Sequence, residues 1–173
     1  MPIKMMPSHV QLGFSMIELL VAVVVLAIGL LGMAGLQTAG LSNNQSAYFR
    51  SQATIAIADM VDRMRANTAG VKDRYYQSFD TSAAPASPNC ISTSGGCNAQ
   101  ELADYDMREW AKLFTNVDDD ASYVALLPNA TGTISYNDLT EIYNIKISWQ
   151  EMSWAAGGSK QAQTQSMQVN ISL

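Results

Sequence analysis

Residues 19–36 read LLVAVVVLAIGLLGMAGL, eighteen positions without a charge or a strong polar group. At 1.5 Å per residue, a helix of that length spans roughly 27 Å, about the thickness of a hydrocarbon core. A secretory signal has a shorter apolar stretch, followed by a small-x-small cleavage site. Here the nearest such match, Gly32-Met33-Ala34, lies inside the run. The run therefore predicts a membrane-spanning helix that the exported chain keeps. At its edge stands Glu18, a carboxylate that costs about 2–4 kcal/mol in lipid unless it snorkels or finds a partner. Lys4 and the chain amine are the firm positive charges on the N-terminal side, so the N-terminus is expected in the cytoplasm and the C-terminal part outside.

Helical character continues past the run. Residues 37–67 contain no proline and one glycine, Gly40. Leu41, Tyr48 and Ile55 keep a seven-residue spacing, and Ile57, Val61 and Met64 follow at i, i+4, i+7. The pattern predicts an amphipathic continuation whose polar face carries Arg50, Gln52, Asp59, Asp62, Arg63 and Arg65. Asn67 and Gly70 supply the stop. Gly29, Gly32, Gly35 and Gly40 inside the helix suit close helix packing in a membrane, or a point of local bending.

From 71 to 98 the chain is polar and irregular, with Pro85, Pro88, Gly95 and Gly96, and reads as loop. The two cysteines, Cys90 and Cys97, fall here. In an exported segment pairing is the default. A zinc site is disfavoured because the single histidine, His9, stands before the apolar run, and a C-x-x-C redox motif is absent. Asn98 with Glu101 forms a capping-box pattern that opens a short helix, with Ala103, Met107, Trp110 and Phe114 on one face. Asp118-Asp119-Asp120 lacks the spaced ligands and turn glycine of a calcium loop and reads as a solvated acidic loop.

Beyond it the period changes to two. Residues 123–127, 131–136, 143–149 and 167–173 read as strands, the third through Tyr143, Ile145, Ile147 and Trp149. The expected architecture is α+β: a long N-terminal helix covering the apolar face of a three- or four-stranded antiparallel sheet, with a short extra helix and a cysteine loop. The expected segments are 1–13, a leader; 14–36, the apolar half of the helix; 37–70, its amphipathic half; and 71–173, an extracytoplasmic domain. The net charge of −5 argues against generic binding to a phosphate backbone. Lys72 and Arg74 beside Tyr75 and Tyr76 make the one small cation-aromatic candidate patch. With one histidine, no nucleophile-base grouping, no nucleotide loop and no metal spacing, neither an enzyme nor a cofactor is expected.

The stretch GFSMIE, residues 13–18, followed by the apolar run, resembles the class III signal of type IV prepilins. AIGLLGMAGLQ (27–37), ADMVDRMRAN (58–67), ELADYDMREW (101–110) and IKISWQE (145–151) are together similar to the PilV kind of minor pilin. One departure is Gln11-Leu12 before the glycine, where such leaders commonly carry Lys or Arg. The resemblance implies the type IV pilin fold. It also implies cleavage after Gly13 by a prepilin peptidase, methylation of the new N-terminal Phe14, and pairing of Glu18 with the terminal amine of a neighbouring subunit during assembly. The implied life cycle starts in the inner membrane and ends in the pilus at the cell surface. Implied partners are other minor pilins, the major pilin, the inner-membrane assembly platform and a large tip adhesin. The implied role is pilus initiation at or near the tip, in support of twitching motility and adhesion. The alternatives are a minor pseudopilin of a type II secretion system, or a pilin that binds a ligand or DNA.

Overall fold

The computed structural model describes residues 13–90, 95–154 and 159–173. The leader expected over 1–13, with Lys4 and His9, lies outside the described residues except for Gly13. The chain divides into two compact units, Met1–Asn44 and Gln45–Leu173.

In the first unit, helix α1 (Met16–Ala66) begins after Ser15, whose carbonyl accepts from the amides of Glu18 (3.1 Å) and Leu19 (3.3 Å). Among the described residues it is the one helix long and apolar enough to cross a membrane. Its apolar side chains stand exposed, and no atom outside the helix lies within 4 Å of a Cβ built on Gly29, Gly32 or Gly35.

The second unit holds the core, and among the described residues the buried ones fall between Ala53 and Trp149. There α1 buries Ala53, Ala56, Ile57, Met60, Val61 and Met64, a stripe at i, i+3, i+4, i+7. The seven-residue series expected to join that stripe does not: Tyr48 and Ile55 remain 56% and 60% exposed. They lie nearly opposite Met60 on a 3.6-residue helix, so the spacing was regular but belonged to the outer face.

Helix α1 stops where expected, although the chain re-enters a short helix, α2 (Thr68–Lys72), capped by Asn67. The Asn67 Oδ1 accepts from the Gly70 amide at 3.1 Å, and a Cβ on Gly70 would lie 2.4 Å from Asn67 Nδ2. Close approach of the cap therefore requires the glycine. The stretch expected to be loop contains a strand, β1 (Ser78–Asp80), and a 3₁₀ turn, Thr81–Ala83. Helix α3 (Ala99–Ala111) opens on the full capping box of Asn98 and Glu101 and buries Ala103, Met107 and Trp110.

Three longer strands follow: β2 (Thr131–Asn137), β3 (Ile142–Trp154) and β4 (Lys160–Ile171). With β1 they form one antiparallel sheet in the order β1-β2-β3-β4. Residues 123–127, expected as a strand, have no ladder. They run as an irregular connector in which Leu127 is buried and Val124 is 85% exposed. Leu126 packs against the core as well, so an apolar stretch there marks burial without strand pairing. The fourth strand is β1 instead, with Phe79 opposite Ile134.

On the inner face of the sheet, Tyr143, Ile145, Ile147 and Trp149 are buried as their alternation predicts. Trp110 joins helices to sheet. Its indole N–H donates to the Ala56 carbonyl at 2.8 Å, and its ring meets Phe114 edge-on at 5.2 Å. The ring lies on Gly132 of β2, where a Cβ would sit 2.5 Å from it.

Candidate assembly site

The residues singled out for processing and assembly cluster at the start of α1. Gly13 is exposed, with no neighbouring atom within 4 Å of a built Cβ, and Phe14 is 80% exposed. Ser15 caps the helix through its hydroxyl as well as its carbonyl, because Ser15 Oγ accepts from the Glu18 amide at 3.2 Å. Ser15-Met16-Ile17-Glu18 thus has the spacing of a capping box, a local signal that the sequence reading passed over. It places Glu18 in the first turn, where a carboxylate faces the positive end of the helix dipole, worth about 0.3–1 kcal/mol. Among the described residues Glu18 has no ion-pair partner. A positive charge brought near the helix start from another chain would meet an exposed carboxylate.

In the second unit, Cys90 and Cys97 form a disulfide, with Cα atoms 5.0 Å apart. Cys97 directly precedes Asn98, whose side chain accepts from the amides of Gln100 and Glu101 at 3.0 and 2.9 Å. The bridge therefore holds the chain at the point where α3 starts.

A buried polar group that the sequence did not disclose ties the end of α1 to α3. The Tyr76 hydroxyl donates to Asp106 Oδ2 at 2.7 Å and accepts from Asn67 Nδ2 at 3.1 Å. Asn67 Nδ2 also donates to the Ala99 carbonyl at 2.7 Å. Arg63 bonds Asp59 at 2.9 Å and reaches Asp106 at 3.5 Å. Burial raises the Asp106 carboxyl above its usual range, against the opposing pull of the Tyr76 hydroxyl and Arg63. Burial, followed by the bond to Asp106, pushes the Tyr76 phenol far up, so it remains a donor. One clue was available: Asp106 falls on the apolar stripe of α3, between Ala103 and Trp110.

The cation-aromatic patch is not assembled. Tyr76 is turned fully inside, while Arg74 pairs with Asp138 at 2.6 Å and lies 5.0 Å over the Tyr136 ring. The acidic loop is exposed as expected, and its Asp118 pairs with Arg108 (2.5 Å) and Lys112 (2.9 Å). Those cations hold its carboxyl below the usual range through direct hydrogen bonds. Among the described residues no group of three potential ligands could hold a metal ion.

The family described as prokaryotic N-terminal methylation motif matches residues 8–34, and the family described as type IV pilin Tt1218 matches residues 35–108. The two matches abut and cover more than half of the chain. Over residues 35–108 the chain is similar to type IV pilins, and its fold is that of a pilin. No curated protein and no solved structure matches it.

The motif match spans Gly13, Phe14, Glu18 and most of the apolar run. The second match spans the rest of α1, the disulfide and the Asn67-Tyr76-Asp106 group, and ends inside α3. Strands β2, β3 and β4 lie beyond both. The α+β pilin fold is therefore carried by a matched helical portion and by a sheet that the structure supplies.

Proposed function

We propose that this pilin is a minor subunit of the PilV kind that takes part in initiating a type IV pilus, in a complex of minor pilins at or near the tip. The observation that carries the reading is the Gly13-Phe14 junction, one turn ahead of an exposed carboxylate on an apolar helix. A prepilin peptidase working on the cytoplasmic side cuts after Gly13 and methylates Phe14. The helix then anchors the subunit in the inner membrane, with its second unit outside. On leaving the bilayer, Glu18 pairs with the terminal amine of a neighbour. In apolar surroundings such a pair attracts strongly, and a subunit without it leaves a charge uncompensated. The role is structural, with the major pilin, other minor pilins, the assembly platform and a tip adhesin as partners, and twitching and adhesion as the supported functions.

Mass spectrometry of the mature N-terminus tests the pathway: a methylated phenylalanine at position 14 supports it, and an intact leader overturns it. A deletion strain tests the machine. Loss of twitching with secretion intact supports the pilus, whereas the converse assigns the subunit to a type II secretion system.

A further inference from the structure

The two edges of the sheet differ in kind. Strand β1 is three residues long, too short to template much pairing. Strand β4 is twelve residues long and pairs with β3 over twelve consecutive positions, Tyr143↔Ile171 to Trp154↔Lys160, without a bulge. Native edges are commonly protected by charge, proline, bulges or shortness. Strand β4 shows none of these after Lys160, since Gln161 to Ile171 contain no charge, no proline and no glycine. Among the described residues no strand pairs with its outer edge.

The inner face beside that edge is also incompletely covered. Met167, Val169 and Ile171 stand opposite the buried Ile147, Ile145 and Tyr143, yet Val169 is 37% exposed. With Thr54, Ala58 and Val61 of α1 they line a mostly apolar groove of about 260 Å³. Its two charges, Asp62 and Arg65, pair with each other at 3.4 Å.

We propose that the β4 edge and this groove bind an extended, uncharged segment of another chain by strand addition. The edge calls for an extended backbone, because only a strand matches a flat ladder. The groove calls for apolar side chains at every second position, matching the spacing of Met167, Val169 and Ile171. The self-neutralised rim calls for a segment without net charge. A second copy of this chain is the poorer occupant, since it brings a net −5 against −5.

The test uses the full chain in detergent micelles and a displayed library of random twelve-residue peptides. Enriched peptides should lack charge and repeat apolar residues at every second position. Ala58→Arg, at an exposed helix position lining the groove, and Val169→Lys should each weaken an enriched peptide about tenfold or more, by setting a charge against the apolar floor. Their melting temperatures serve as the check on folding, and Ala58→Arg alone decides if Val169→Lys unfolds. N-methylating alternate peptide amides should abolish binding in one register and spare it in the other. No enrichment, peptides without the two-residue period, or indifference to the N-methyl register would each overturn the proposal. So would a doubled particle mass that Ala58→Arg abolishes, which would assign the edge to a second copy.

Discussion

Gly132→Ala tests whether the Trp110 contact governs the domain's stability. A Cβ at position 132 would lie 2.5 Å from Trp110 Cη2 and Cζ3 and 3.1 Å from Thr81 Cγ2. Ordinary contact starts near 3.4 Å, so the ring must retreat by roughly 1 Å in an interior packed to crystal density. It has little room to do so. The indole N–H is fixed to the Ala56 carbonyl at 2.8 Å, and Phe114 and Phe79 stand 5.2 and 6.2 Å away, centre to centre. Overpacking of this kind costs about 1–3 kcal/mol. Against it, replacing glycine stabilises by about 0.4–1 kcal/mol through the unfolded chain. The expected net loss is about 1–2 kcal/mol, a fall of roughly 3–8 °C in Tm for a domain of this size. Thermal unfolding of the full chain in micelles, followed by near-ultraviolet circular dichroism, measures it. The same substitution in a Trp110→Phe background, which removes the clashing ring atoms, should show a coupling of about 1 kcal/mol or more. A Gly132→Ala protein as stable as wild type would refute the reasoning.

Cys90→Ser should lower stability by about 2–3 kcal/mol, the loop constraint expected for so short a ring; free thiols in protein isolated without reductant would contradict it. Asp106 has a folded pKa raised by burial, so its favourable contribution is complete below the unfolded carboxylate range and is lost as pH rises through the folded value. Asp106→Asn should therefore gain on wild type as pH rises from acid to neutral, and Tm profiles that stay parallel would count against this. Glu18→Leu should insert as well as wild type or better, by about 2–3 kcal/mol on insertion scales. It should nevertheless be depleted from sheared filaments while cleaved protein accumulates in the membrane. Equal recovery of the variant in filaments would remove the pairing role.

Local signals were legible in the sequence, and long-range pairings were not. The apolar run, the Asn98-Glu101 box and the alternation from Tyr143 to Trp149 each lie within a few turns of chain, and each appears in the structure. Two cysteines seven residues apart in one loop pair as the disulfide that their spacing allows. Strand β1 escaped notice because three residues in a stretch rich in serine and alanine carry no period, and its ladder depends on Ile134, far along the chain. Residues 123–127 misled in the opposite sense, since an apolar stretch can be buried without a neighbouring strand. At the N-terminus the motif is contiguous and so was readable, whereas the processing and assembly proposed for it depend on molecules outside this chain. The Asn67-Tyr76-Asp106 group needed three elements brought together, and only Asp106 betrayed itself, as a carboxylate on an apolar face.

The distribution of burial makes the Glu18 experiment interpretable. Among the described residues burial runs from Ala53 to Trp149, while Gly13, Phe14 and Glu18 are exposed. Within the second unit, stability rests on Trp110, the disulfide, the Asp106 group and the inner face of the sheet. Glu18 belongs to the first unit, and its amide bonds to Ser15 within its own helical turn. Its only local contribution, at the first helical turn, is well under the cost of placing a carboxylate in lipid. If Glu18→Leu protein is missing from filaments while its second unit melts like wild type, misfolding is excluded as the cause. What then remains is the interaction of that carboxylate with something outside the subunit.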